Sequence, residues 1–373
     1  MTVKSVSWTE ETAVRAIEPI SGACVWQGGD IAASPRWRRT LAPVQLGEID
    51  EALATAKARG LRWQGMRQED FPLPAFAPLA EDIRVELEEG SGIVLLRGLD
   101  PGRYTPDELK LLYAGLCRHI GTLVYSNRAG EIMREIRDVT RDGADAGQRY
   151  GALPDAGKPG AFLSSYARTL TNQQLRFHTD RCDVVALFCI RQALCGGASK
   201  LCSSPAVHNA MLARRPELCA ALYEPIWRSR LGEEDATDDT SYPLPVWGVR
   251  AGKFTSHYSR TFIEVAQRRA EVPRLSPEQA EALDLLHELA EELCFEMTFA
   301  PGDIQFVNNH VIYHARTAFE DDSVQRADRL LLRLWMAVPN SRALPEDHAI
   351  LWRNVDAGAL RGGIGQTQST PVG

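Results

Sequence analysis

Apolar positions along this chain recur with two periods, one helical and one alternating, and the alternating period prevails in its later part. Residues 47–60 run from Gly47 through Ala, Leu and charged positions to a stop at Gly60, which predicts a helix. Residues 79–89 predict a second, followed by Gly90 and Gly92 and a strand over 93–97. Thr105 as N-cap with Pro106 behind it opens a third helix that runs to about His119. The stretch from Arg176 to Asp180 continues into 183–190, which is β-branched, aromatic and apolar and reads as strand. Residues 191–199 predict a further strand bent at Gly196 and Gly197, and Ser203, Ser204 and Pro205 open a helix. Residues 242–249 and 253–258 pair as strands. Residues 276–292 form the clearest helix, capped by Ser276, with Leu283, Leu286 and Leu289 at helical spacing. Alternation returns over 294–299, 304–307, 310–314 and 330–338.

Many short strands with helices inserted among them, instead of one helix per strand, predict a mainly β fold. The expected architecture is a double-stranded β-helix (jelly-roll) barrel core with a helical outer layer. Residues 1–84 are expected as an N-terminal arm and helices packed on that core, 85–340 as the jelly-roll domain, and 341–373 as a C-terminal tail. Within the core, 126–160 is rich in Arg, Asp, Gly and Ala and interrupted by Pro154 and Pro159, as expected of a variable lid.

Composition narrows the classes. The 373 residues are 44% hydrophobic and 24% charged, ordinary values for a globular chain. A net charge of -7 disfavours a nucleic-acid surface. No apolar run reaches the roughly 20 residues that span a bilayer, and the N-terminus lacks the basic and apolar regions of a secretory signal. The eight cysteines include no Cys-x-x-Cys pair. Cys182, Cys189, Cys195 and Cys202 have no zinc-site spacing and are expected as reduced, buried packing residues of a cytoplasmic protein.

The candidate chemistry centres on His178 and Asp180. Two residues apart on a strand, they face the same side while Thr179 turns away. Two His and one carboxylate with open positions opposite form the usual ligand set of a non-haem Fe(II) oxygenase. A third ligand must come from elsewhere. His310 and His314 lie in a strand-rich region, and the β-branched, aromatic sequence around them favours two strands joined at Asn308 and Asn309 over a helix. On that reading His314 faces inward as the ligand and His310 supports the turn. Downstream, Arg329 and Arg333 sit four apart in an otherwise apolar strand. Arg is seldom buried without an anion, and it grips carboxylates at two points. One such anion would be the far end of a 2-oxo diacid, with Ser199 able to add a hydroxyl hydrogen bond; another would belong to the substrate.

These stretches resemble the taurine dioxygenase-like and clavaminate synthase-like family of Fe(II)/2-oxoglutarate-dependent oxygenases. The matching residues are Phe177, His178 and Asp180; Gly196, Gly197 and Ser199; Pro301 to Ile304; Asn308 and Asn309 with His314; and Arg329 with Arg333. The resemblance covers about residues 85–340. It implies iron bound by His178, Asp180 and His314. Arg329 matches the arginine that binds the distal carboxylate of 2-oxoglutarate, and Ser199 matches a hydroxyl contacting it. Arg333 matches a position that meets an anionic substrate group in some members. It implies Fe(II), 2-oxoglutarate and O2 as cofactors, and hydroxylation or desaturation of a small anionic or amino-acid-like substrate with release of succinate and CO2. The intact Asp180 carboxylate favours hydroxylation over halogenation, which needs that ligand position vacated.

Two other classes use the same residues. A zinc hydrolase could bind its metal with the same triad, leaving the Arg pair without a purpose. A non-catalytic jelly roll could hold a small anion. Partners are expected to be a small-molecule substrate and, as in many family members, further copies in a homo-oligomer.

Overall fold

The computed structural model describes residues 17–140, 168–230, 239–322 and 328–364. Its centre is a pair of sheets. The larger runs Arg38–Thr40, Ile93–Arg97, Ile304–Asn308, Val184–Arg191, Leu330–Ala337 and Thr122–Val124, with Met133–Ile136 also paired to Leu330–Ala337. All its pairings are antiparallel except that of Arg38–Thr40 with Ile93–Arg97. The smaller sheet runs Phe295–Met297, Ser199–Ser203, Ile312–Arg316 and Leu175–His178, antiparallel throughout.

Strand alternation decides what lies between the sheets. On the larger sheet Ile93, Leu95, Val185, Cys189, Val307, Leu331 and Trp335 pack with Leu201, Met297 and Ile312 of the smaller one. The intervening positions Val94, Leu96, Ala186, Phe188, Phe306, Leu332 and Leu334 face outward onto the helices Pro43–Ala58, Ala77–Glu88 and Pro106–Arg118. Behind the smaller sheet, Phe177, Cys202, Tyr313 and Ala315 pack on the helices Ser204–Arg214 and Pro277–Leu293. This is the double-stranded β-helix with a helical outer layer. Its strands form two facing sheets and do not close into one barrel.

The predicted helix starts hold in detail. Thr105 Oγ1 accepts the backbone N–H of Glu108 at 3.3 Å, and the Glu108 carboxylate accepts that of Thr105 at 2.7 Å. Ser276 and Gln279 form the same reciprocal cap at 3.1 and 3.2 Å. The expected continuous strand from Arg176 to Ile190 does not form. It ends at His178 and resumes at Val184 in the other sheet, so residues 179–183 carry the chain across the core. Asp183 in this crossing is buried and polar, and its carboxylate serves a cluster described below, which a continued ladder would not reach. The 242–249 run likewise splits: Ser241–Leu244 pairs with Ile226–Ser229, and Trp247–Arg250 with Lys253–Ser256. Pro245 lies at the break, where it has no ladder N–H to donate.

All eight cysteines are free; Cys182, Cys189 and Cys202 are buried as expected, whereas Cys195 is exposed. Most of the 126–160 stretch expected as a lid lies outside the described residues, although Met133–Ile136 within it is a strand of the larger sheet. Residues 341–364 pack into the fold. Arg361 is fully buried, with Nε 2.8 Å from Asp183 Oδ1 and Nη2 donating to the Arg342 carbonyl at 2.6 Å. No helix among the described residues is long and apolar enough to cross a membrane.

Candidate metal centre

His178 ends its strand directly opposite His314 on Ile312–Arg316. The next residue, Thr179, is tied to the chain at Tyr258: its N–H donates to the Tyr258 carbonyl at 2.8 Å, and its Oγ1 accepts the Tyr258 N–H at 3.0 Å. Asp180 then turns back toward both imidazoles. Its backbone N–H donates to Asn309 Oδ1 at 2.9 Å, so the Asn turn before His314 also sets the carboxylate. The expected convergence of His178 and Asp180 is present, but it comes from this pinned turn and not from strand pleat.

The result is a buried cluster in which one potential ligand atom from each of His178, Asp180 and His314 lies within 4.8 Å of the others. Among the described residues it is the one such group of His, Cys, Asp and Glu. Asp180 Oδ1 is 3.8 Å from His178 Nε2, and Asp180 Oδ2 is 3.8 Å from His314 Nε2. These gaps are too long for hydrogen bonds and are the spacing of atoms directed at a common point. His178 Nδ1 lies 2.9 Å from the Arg176 carbonyl. A carbonyl can only accept, so that nitrogen carries the proton and Nε2 presents its lone pair.

Protonation states suit a metal. Burial pushes both imidazoles below their ordinary pKa, His314 to about 3 with the neighbouring His178 adding to the effect. They are therefore neutral at pH 7. Burial opposes ionisation of Asp180, but its surroundings, the Arg333 charge foremost, hold the carboxyl below its usual range. Trp335 Nε1 donates to Asp180 Oδ2 at 2.8 Å, and Arg333 Nη1 lies 3.6 Å from the same oxygen. Two neutral imidazoles and one carboxylate facing a common point are the donor set of a divalent cation such as Fe(II).

Two cavities meet at this cluster. One is lined by Ser199, Gln305, Arg316 and Arg329 with the triad. Arg333 on the Leu330–Ala337 strand and Arg329 just before its start both line this cavity, and both are buried. Burial lowers the pKa of Arg329 to about 10. Its Nε and Nη1 have no acceptor among the described residues, while Nη2 reaches the Gly197 carbonyl at 3.5 Å. Gly197 has φ +69° and passes so close that a Cβ there would lie 2.9 Å from Arg329 Nε, so only glycine leaves the guanidinium its space. Ser199 is buried on the same wall and donates to Gln305 Oε1 at 3.1 Å. Arg333 lines both cavities, against the triad carboxylate.

The second cavity is lined by Arg181, Arg230, Tyr242, Phe262, Trp335 and Leu351 beside His178 and Asp180. Arg181 donates to the Leu351 carbonyl at 2.6 Å and Arg230 to the Ile350 carbonyl at 2.9 Å. His310, expected to support the turn, does so. Its Nε2 lies 2.8 Å from Asp183 Oδ1 and its Nδ1 3.0 Å from Thr255 Oγ1. Burial brings its pKa down to about 4 against the pull of Asp183. The neutral ring donates from Nε2 and accepts from Thr255, leaving Arg361 as the cation that neutralises Asp183.

Sequence reasoning missed Arg316, Trp335 and the role of Asn309 toward Asp180. Arg316 and Trp335 had a signal in strand parity: Arg316 is two residues past His314, and Trp335 two past Arg333. Arg181 and Arg230 had none, because the segments that bring them to the cavity are not sheet strands facing the triad.

Comparison with known proteins agrees with this geometry. Residues 56–335 match the family described as taurine catabolism dioxygenase TauD, TfdA family, a match that begins earlier in the chain than the expected resemblance. An FR-33289 synthase from Streptomyces rubellomurinus is 30% identical over 334 residues, 88% of this chain and 93% of that protein. Taurine hydroxylase-like protein SAT17 from Stachybotrys chartarum is 30% identical over 327 residues, 86% of this chain and 80% of its own. Among solved structures, asparagine oxygenase in complex with Fe(II), 2S,3S-3-hydroxyasparagine and succinate superposes with a TM-score of 0.60 at 14% identity, over 87% of this chain and 99% of that one. The non-heme iron oxygenase OrfP in complex with Fe and alpha-ketoglutaric acid gives 0.56 at 16% identity, over 80% and 93%. At those identities the structures speak to the fold, and the family match to the chemistry. The chain belongs to the taurine catabolism dioxygenase TauD, TfdA family and is an Fe(II)- and 2-oxoglutarate-dependent dioxygenase.

Proposed function

We propose that His178, Asp180 and His314 hold Fe(II), that Arg329 with Ser199 binds the distal carboxylate of 2-oxoglutarate, and that a small anionic substrate enters from the opposite cavity. The carrying observation is the position of the triad between two cavities, one where Arg316 and Arg329 have guanidinium N–H groups without an acceptor among the described residues and the other walled largely by segments outside the two sheets. When bound, the iron with 2-oxoglutarate and O2 supplies the oxidant for a substrate C–H bond, and 2-oxoglutarate leaves as succinate and CO2.

The residues of the chain then have separable tasks. Arg176 fixes the His178 ring through its carbonyl, and Trp335 and Asn309 orient Asp180. Arg333, beside Asp180 and common to both cavities, keeps that carboxylate ionised and offers positive charge toward the substrate. Arg181 and Arg230 add two further cations to the substrate side, where Asp180 is the lone acidic side chain of the lining among the described residues. Phe262, Leu351 and Ile364 supply apolar wall. A carboxylate, sulfonate or similar anion on a short carbon skeleton fits such a lining, and its C–H bonds would face the triad.

Anaerobic protein given Fe(II) and 2-oxoglutarate should develop a visible metal-to-ligand charge-transfer band, and its absence would sink the iron reading. Small amino acids, carboxylates and sulfonates screened for stimulation of succinate release should then identify the substrate class. Stimulation confined to cationic or uncharged compounds would overturn the anionic assignment.

A further inference from the structure

The co-substrate cavity holds a second buried cation with open valences. Arg316 lies two residues beyond His314 on the inner face of Ile312–Arg316 and is only 6% exposed. Its Nη2 donates to the carbonyl of Thr171 at 2.8 Å and to that of Gln173, which holds the loop leading into the His178 strand. Its Nε and Nη1 are buried with no acceptor among the described residues, as are Nε and Nη1 of Arg329. The Phe319 ring is a contact common to both groups, with the Arg316 and Arg329 guanidinium carbons 4.8 and 5.2 Å from its centroid. Asp138 and Asp321 act on Arg316 only at longer range, and Asp321 Oδ1 accepts the backbone N–H of Arg329, not its side chain. Two buried guanidinium groups that share one ring contact repel each other and call for an anion that both can reach.

We propose that Arg316 is a second binding cation for the distal carboxylate of 2-oxoglutarate, so that this carboxylate is gripped from both sheets, by Arg329 on one and Arg316 on the other. The proposal rests on the iron and 2-oxoglutarate reading above and adds a consequence to it. A pocket with two cations discriminates between a 2-oxo diacid and its monoacid counterpart more strongly than one with a single cation.

The test is anaerobic titration of the Fe(II)-loaded protein with 2-oxoglutarate and with 2-oxopentanoate, which carries a methyl group where the distal carboxylate would be. Binding is followed by the visible charge-transfer band. Arg316→Gln should weaken 2-oxoglutarate by about ten- to a hundredfold and leave 2-oxopentanoate unchanged. Arg329→Gln should retain a residual preference for the diacid, supplied by Arg316, and Arg316→Lys should keep most of the wild-type preference. Equal weakening of both ligands by Arg316→Gln would mean that the residue acts only through the 171–173 loop, and would overturn the proposal. Loss of all preference in Arg329→Gln would overturn it as well, and this arm stands even if Arg316→Gln does not fold. No band with either ligand in the wild type would overturn the proposal and the iron reading together, whereas the preceding outcomes leave the iron reading intact.

Discussion

On both sides of the triad buried arginines reach backbone carbonyls, but of different segments. On one side Arg316 donates to Thr171 and Gln173 and Arg329 to Gly197; on the other, Arg181 and Arg230 donate to Leu351 and Ile350. The first pair stands on or beside sheet strands; the second is brought in by the crossing at 179–183 and by the end of the Ile226–Ser229 strand. On the proposed assignment, the ligand common to every turnover would be met by groups on or beside sheet strands. The variable ligand would be met by a wall assembled from inserts and the C-terminal segment, where substitution perturbs the sheets least.

Both cavities depend on the metal point, so its loss has the largest effect. His178→Ala, Asp180→Ala and His314→Ala should each lower Fe(II) affinity by more than about a hundredfold, because loss of an outer hydrogen-bonding partner alone costs about ten- to a hundredfold. Metal content after equilibrium dialysis reads this directly. A variant that kept stoichiometric iron would remove that residue from the ligand set. The wall on the substrate side breaks next. Arg361→Met leaves the Asp183 carboxylate buried with only neutral His310 and the Val338 N–H beside it. Leaving one partner of a buried ion pair unmatched costs about 3–5 kcal/mol, measurable by denaturant unfolding. An unchanged midpoint would show that water reaches Asp183.

A finer cut separates the two sides. Arg329→Gln should raise the KM for 2-oxoglutarate by about ten- to a hundredfold and that for the oxidised substrate far less. Arg230→Gln should do the reverse, with a smaller change, because Arg230 already spends two N–H groups on the Asp239 and Ile350 carbonyls. If both variants shifted both constants together, the two cavities would be one site.

How much of this was legible follows from the same division. Period-two alternation over 330–338 put Arg329 and Arg333 on the inner face, and the β-rich reading around His310 and His314 separated the ligand from the turn residue. Parity is local, so it survives folding. The crossing at 179–183 was not legible, because the apolar run on either side of it reads as one strand and the reason for the break, Asp183 meeting His310 and Arg361, lies 127 and 178 residues away in sequence. Arg181 and Arg230 were hidden for the same reason: their neighbours in space come from the C-terminal segment.

Trp335 tests whether the carboxylate ligand is oriented from the larger sheet. Trp335→Phe removes the N–H that reaches Asp180 Oδ2 at 2.8 Å while keeping an aromatic ring beneath the Arg333 guanidinium, whose carbon lies 4.9 Å from the ring centroid. Asp180 would retain Arg333 at 3.6 Å and the Asn309 bond to its backbone N–H. The loss should therefore sit at the lower end of the outer-partner range, about tenfold in Fe(II) affinity, with 2-oxoglutarate preference over 2-oxopentanoate unchanged. Asn309→Ala, which frees the turn and leaves the indole bond in place, provides the contrast. If it weakened iron binding while Trp335→Phe did not, the carboxylate would be set by the crossing turn of the smaller-sheet side, and the larger sheet would contribute charge without aim.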